Sequence, residues 1–119
     1  MAGAYTLLAI YGSLYPFAGW HDSGAAPLAF LGAGWPRYYT LFDLASNVVA
    51  YLPLGFLWAT ALRPALGTWA TVPAALLIGV ASSLTLEIAQ NYLPSRVPSN
   101  LDLACNGIGA LCGALAGAR

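Results

Sequence analysis

Long apolar runs separated by short polar connections are the first pattern in this chain. The runs cover residues 2–17, 41–62, 71–93 and 101–118, each near the roughly 20 residues that cross a bilayer as a helix. A segment in hydrocarbon must satisfy its own backbone hydrogen bonds, so helices are the expected form. The pattern therefore predicts an all-α fold, an integral membrane bundle of four transmembrane helices forming a single domain over residues 1–119. The first run has no Lys or Arg ahead of its apolar stretch and no small-residue cleavage site behind it. A retained helix is favoured there over a signal peptide.

The connections carry further information. Residues 20–40 form the longest, with an apolar middle and with Trp20, Trp35, Tyr38 and Tyr39 suited to a headgroup-level aromatic belt. Residues 63–70 form a short loop between Trp58 and Trp69, and 94–100 form a tight polar turn. Four spans place Arg63, Arg119 and the amino terminus on one side, and Asp22, Arg37 and Arg96 on the other. The arginine count ties. Arg63 and Arg119 lack an acidic loop neighbour, which leans both termini towards the cytoplasm of a multi-pass cell-membrane protein.

Composition sharpens this reading. The chain is 60% hydrophobic and 7% charged, and it has no lysine. A soluble domain is about a quarter charged, so this chain lacks the residues to cover a water-facing surface, and membrane lipids are its expected surroundings. Net charge is zero, with no basic patch for nucleic acid. Cys105 and Cys112 are separated by about 10.5 Å of helical rise, too far for a disulfide, and read as free thiols. His21, the only histidine, reads as a solvated loop residue. No metal-ligand spacing is present, so neither a metal centre nor a cofactor is expected.

Against that background the acids stand out. Asp43-Leu-Ala-Ser-Asn47 recurs as Asp102-Leu-Ala-Cys-Asn106, which hints at two hairpins related as parallel repeats. In a four-helix topology Asp43, Asp102, Glu87, Gln90 and Arg96 all reach the same membrane face. Acid and amide at i and i+4 share one helix face, so Asp43 stacks with Asn47 and Asp102 with Asn106. Gly109 and Gly113 continue the second stripe, and small residues at that spacing let helices approach closely, within the chain or in a homo-oligomer. Gly79, Ser83, Glu87 and Asn91 form a similar row. Ordinary roles compete with a site. Either Asp can cap a helix, either Asn can bond between helices, Glu87 can pair with Arg96, and Pro53 can kink its helix.

The residues Asn47, Tyr51-Leu-Pro53-Leu-Gly55, Glu87, Gln90, Pro94, Arg96, Ser99, Asp102, Asn106, Gly109 and Gly113 resemble the VanZ-like family of small membrane proteins. The likeness is strongest over residues 43–113, and the first helix carries no recognisable signature. The family takes its name from a member linked to resistance to the glycopeptide antibiotic teicoplanin. The resemblance implies a membrane protein related to the bacterial cell envelope and supplies no catalytic residues.

Three functions fit these residues. The first is a binding module in which Arg96, with Arg37, holds an anionic group of a lipid-linked cell-wall precursor or a glycopeptide, since Arg contacts carboxylate and phosphate bidentately. Asp43, Asn47, Glu87, Gln90, Asp102 and Asn106 would bind the rest of the headgroup, under cover of the aromatic loop. The second is a hydrolase or transferase on a lipid-linked substrate, with Glu87 and Asp102 as candidate acid and base. The third is a structural scaffold or small transporter.

Overall fold

The computed structural model describes all 119 residues. It contains α1 (Ala2–Leu14), a 3-10 turn (Ala29–Gly32), α2 (Leu41–Gln90) and α3 (Asn100–Gly117), with no strand. The all-helical expectation holds. The expected four membrane helices do not, because there are three α-helices and only α2 is long and apolar enough to cross a membrane. α1 stops short because Tyr15 precedes Pro16 and takes an extended backbone (φ −59°, ψ 137°), as the proline ring disfavours the helical conformation one residue upstream. Its 13 residues span about 20 Å, less than the roughly 30 Å hydrocarbon core. α3 has the length, at 18 residues, but Asn100, Asp102 and Asn106 dilute its apolar character.

The connection expected at 63–70 is present but shrinks to a single residue. Helix continues through Arg63 and Pro64, and the only non-helical backbone inside α2 lies at Gly67 (φ 68°, ψ 171°). A straight helix of 50 residues would run about 75 Å, whereas the longest dimension of the molecule is 44 Å. The chain therefore turns back at Gly67 into two arms, 41–66 and 68–90. Only glycine enters that backbone region without strain, and Thr71 Oγ1 braces the bend by donating to the Gly67 carbonyl at 2.6 Å. Pro53 sits in helical backbone within the first arm, and the break in the helix is at Gly67.

The two arms clasp α3. Gly109, Gly113 and Gly117 lie against the backbones of Val48, Leu52 and Phe56 of the first arm, while Gly55 receives the backbone of Ala110. A Cβ at Gly79 of the second arm would collide with the Ala110 side chain and sit 3.7 Å from Leu54. Backbone thus meets backbone along the predicted small-residue stripe, and that stripe is used for packing within the chain. The buried core is correspondingly small-grained: Tyr51, Leu54 and Ala110 at one level, Ala59, Ala75 and Ala114 at the next. Only 23 of 119 residues are buried, so most apolar side chains point outwards. Leu7, Phe42, Val49, Trp69 and Leu77 are all exposed.

α1 leans on the first arm. Tyr5 Oη donates to the Ala50 carbonyl at 2.8 Å, and Trp58 Nε1 donates to Thr6 Oγ1 at 3.1 Å. Its carboxyl end meets the 94–100 turn, so α1 runs opposite to the first arm and both termini lie towards the Gly67 bend.

The close approach at Gly113 gives a clear expectation. Gly113→Leu, whose side chain has rigid backbone on the opposing helix, lowers stability by about 3 kcal/mol or prevents folding. Gly3→Ala, with open space around it, leaves the melting temperature in detergent unchanged or slightly raised.

Candidate functional site

The two Asp-Leu-Ala-x-Asn segments begin α2 and α3, yet their acids do different things. At α2, Thr40 and Asp43 form a reciprocal capping box. Thr40 Oγ1 accepts from the Asp43 amide at 3.1 Å, and Asp43 Oδ2 accepts from the Thr40 amide at 2.8 Å. At α3, Ser99 Oγ accepts from the Asp102 amide at 3.2 Å, the first half of the same box. The second half is supplied from elsewhere: the Ser99 amide donates to Glu87 Oε2 at 2.8 Å. Glu87, on the second arm of α2, thus closes the amino-terminal cap of α3, and the Asp102 carboxylate is released from capping. Asp102 turns beside Asn47 on the first arm.

That release shapes a cavity of about 530 Å³. Of the sequence-predicted residues, Asn47, Glu87, Gln90, Arg96, Asp102 and Asn106 all line it. Asp43 does not; it is exposed and committed to its cap. Arg37 and the whole 20–40 connection also lie outside the lining. The aromatic loop instead reaches the start of α3 and the end of α2, where Asn100 Nδ2 donates to the Ala33 carbonyl at 2.7 Å and Asn91 Nδ2 to the Ala25 carbonyl at 3.4 Å.

The wall that sequence reading missed is α1. Tyr5, Leu8, Ala9, Gly12 and Ser13 line the cavity. Their helix is moored at its carboxyl end, where carbonyls lack helical partners. Arg96 Nη2 donates to the Gly12 carbonyl at 3.0 Å and the Tyr15 carbonyl at 3.3 Å, and Gln90 Nε2 to the Ser13 carbonyl at 3.1 Å. A guanidinium also suits the negative end of the helix dipole. The expected Glu87–Arg96 ion pair is therefore replaced by two separate engagements, Glu87 with a backbone amide and Arg96 with a helix end. The other Arg96 donors have no protein acceptor.

Deeper in, Asn106 is buried, at 5% exposure. Its Nδ2 donates to Ser83 Oγ at 2.8 Å, which joins α3 to the second arm, and its Oδ1 has no partner. Tyr51 lies beside Ser83 and Glu87. The cavity thus mixes carboxylates, amides and the Tyr51 hydroxyl at its inner end and carries a guanidinium at the end nearer the turn. No group of three or more His, Cys, Asp or Glu side chains is placed to hold a metal ion. Cys105 is buried, Cys112 is exposed, and both are free thiols outside the lining.

A family model described as VanZ/LLP1 matches residues 4–118. The match includes α1, which the residue pattern alone had left without a signature. No curated protein matches the chain, and no solved structure does. The family and the long apolar α2 together point to membrane association.

The cap exchange predicts unequal tolerance. Glu87→Ala leaves the buried Ser99 amide without an acceptor and costs about 1–3 kcal/mol in detergent unfolding. Glu87→Gln, whose side-chain carbonyl still accepts, recovers most of that loss. A Gln variant as unstable as the Ala variant would mean that the hydrogen bond is not what Glu87 contributes.

Proposed function

The chain belongs to the VanZ/LLP1 family, and on that premise we propose that it is a multi-pass membrane protein of the cell envelope that binds the polar headgroup of an amphiphile. The single observation that carries this is the cavity itself. It gathers two carboxylates, one guanidinium and three side-chain amides within an apolar exterior, and has the few hundred Å³ of a small-molecule site. A headgroup would enter it while the hydrocarbon of the same ligand stayed in lipid against the exposed apolar side chains.

The lengths support a multi-pass topology. Each arm of α2, at about 1.5 Å per residue, reaches across the roughly 30 Å hydrocarbon core, and α3 at about 27 Å nearly does. With both termini cytoplasmic, the cavity opens at the outer leaflet, where glycopeptides and lipid-linked cell-wall precursors are met. The Arg96 donors left over from α1 supply the anion contact, to carboxylate or phosphate. Glycopeptide resistance of the teicoplanin type is the physiological form this binding would take. Hydrolase or transferase chemistry at Glu87 and Asp102 fits less well, because one Glu87 oxygen is already held by the Ser99 amide.

Binding tests this directly. Titration of the purified protein in detergent with teicoplanin and with a lipid-linked peptidoglycan precursor should give saturable binding of at least one. Arg96→Gln should weaken that binding about tenfold, the loss of one charged hydrogen-bonding partner, with the helical circular dichroism unchanged. No binding of either amphiphile, or equal binding by the variant, contradicts the reading.

A further inference from the structure

A second hollow lies beside α1, outside the polar cavity. It is a groove of about 460 Å³, bounded by Ile10 and Leu14 of α1 and by the second arm of α2 from Ile78 to Ala89. Ser82 and Thr85 are the polar residues of its lining. Thr85 Oγ1 is already satisfied, donating to the Ala81 carbonyl of its own helix at 2.8 Å. Leu86 lines both the groove and the polar cavity, so one side chain borders the two hollows. Beside it, Gln90 Nε2 donates to the Ser13 carbonyl. Ser13 and Gln90 line the cavity, while their chain neighbours Leu14 and Ala89 line the groove. A polar compartment and an apolar one thus meet along the seam between α1 and the second arm.

The dimensions say what fits. From Ala89, level with the cavity, to Ile78 the groove follows the second arm for about 16 Å. That is close to half of the roughly 30 Å hydrocarbon core, the depth of one leaflet. The volume spread over that length leaves a cross-section of about 30 Å². A helix, about 10 Å across, is too wide to seat there, so a second copy of this chain is a poor occupant. In lipid there is little hydrophobic gain from covering an apolar face, and close van der Waals contact holds what is bound. A groove between two helices touches a chain on two sides, which a single convex helix face does not.

From this continuity we infer that the groove seats one acyl chain of the same amphiphile whose acidic headgroup reaches Arg96, with Leu86 between the two parts. The inference rests on the headgroup-binding reading and narrows its ligand to a molecule that joins an anion to a hydrocarbon chain, as a phospholipid does. A water-soluble anion would fill the cavity alone.

Photolabelling tests this. The full-length protein in maltoside detergent is exposed to subsaturating phosphatidic acid with a diazirine in one acyl chain, or to diacylglycerol with the same chain and no anion. Labelled residues are located by mass spectrometry. Phosphatidic acid should label residues 10–14 and 78–89 about tenfold more than diacylglycerol does, the worth of a charge-assisted hydrogen bond. The exposed faces around Val49 and Leu111 should be labelled equally by both lipids. Ala81→Phe, at an exposed position on the groove wall, should bring groove labelling down to the diacylglycerol level. Ala104→Phe, exposed on α3 and outside both hollows, should change nothing. Arg96→Gln should erase the phosphatidic acid excess and leave diacylglycerol labelling as it was, which reports that the groove is intact. An excess that survives Ala81→Phe or Arg96→Gln overturns the inference. Saturable, Arg96-dependent binding of phosphatidic acid with labels spread evenly over all apolar faces also overturns the groove, while headgroup binding stands. Absence of Arg96-dependent binding overturns both.

Discussion

One hydrogen bond, from the Ser99 amide to Glu87 Oε2, holds the polar end of this molecule together. A helix amino terminus has amides without intrahelical partners, and the usual answer is a side chain three residues on, as Asp43 provides for Thr40. At α3 the acid comes from a different segment. That choice ties the end of α2 to the start of α3 across the 94–100 turn. It also supplies a buried carboxylate with a donor, and it leaves Asp102 facing inwards. The cavity is a consequence: its two carboxylates are there because one has taken over the other's structural duty.

The close packing that makes room for this is set by glycine. Gly109, Gly113 and Gly55 bring α3 and the first arm of α2 into backbone contact, and the bend at Gly67 returns the second arm to the same groove. In lipid there is little hydrophobic gain from joining helices, so close van der Waals contact and buried hydrogen bonds carry the association. The Asn106–Ser83 bond lies between α3 and the second arm. α1 is held differently, by hydrogen bonds at its carboxyl end and along its side rather than by interlocked backbones.

What the sequence made legible follows from helical periodicity. Acid, amide and glycine at three- and four-residue spacing share a face whatever the tertiary fold, so the α3 stripe and the Gly79, Ser83, Glu87 row could be read directly. So could the gathering of Glu87, Gln90, Arg96 and Asp102 at one end, which needs only chain direction. Other features had no such signature. Arg63-Pro64 looks like a loop, yet proline tolerates helical φ, and the whole reversal falls on Gly67. The partner of Glu87 is a backbone amide, which residue identity does not advertise, so the nearest cation, Arg96, was the natural but incorrect mate. Arg96 likewise found carbonyls of α1, a helix whose own residues show no polar pattern. Asp43 and Asp102 looked equivalent because their local sequence is; a residue distant in the chain distinguishes them.

The central claim is that Asn47, Gln90 and Asp102, from three different helical segments, face one water-accessible cavity at one side of the membrane. Single cysteines at these positions, in a background with Cys105→Ala and Cys112→Ala, would be exposed to a membrane-impermeant thiol reagent in oriented vesicles. The account predicts that all three are labelled from the same side, and that an Ala75→Cys control in the buried core is labelled from neither. Labelling from opposite sides, or protection of all three from both, would contradict it.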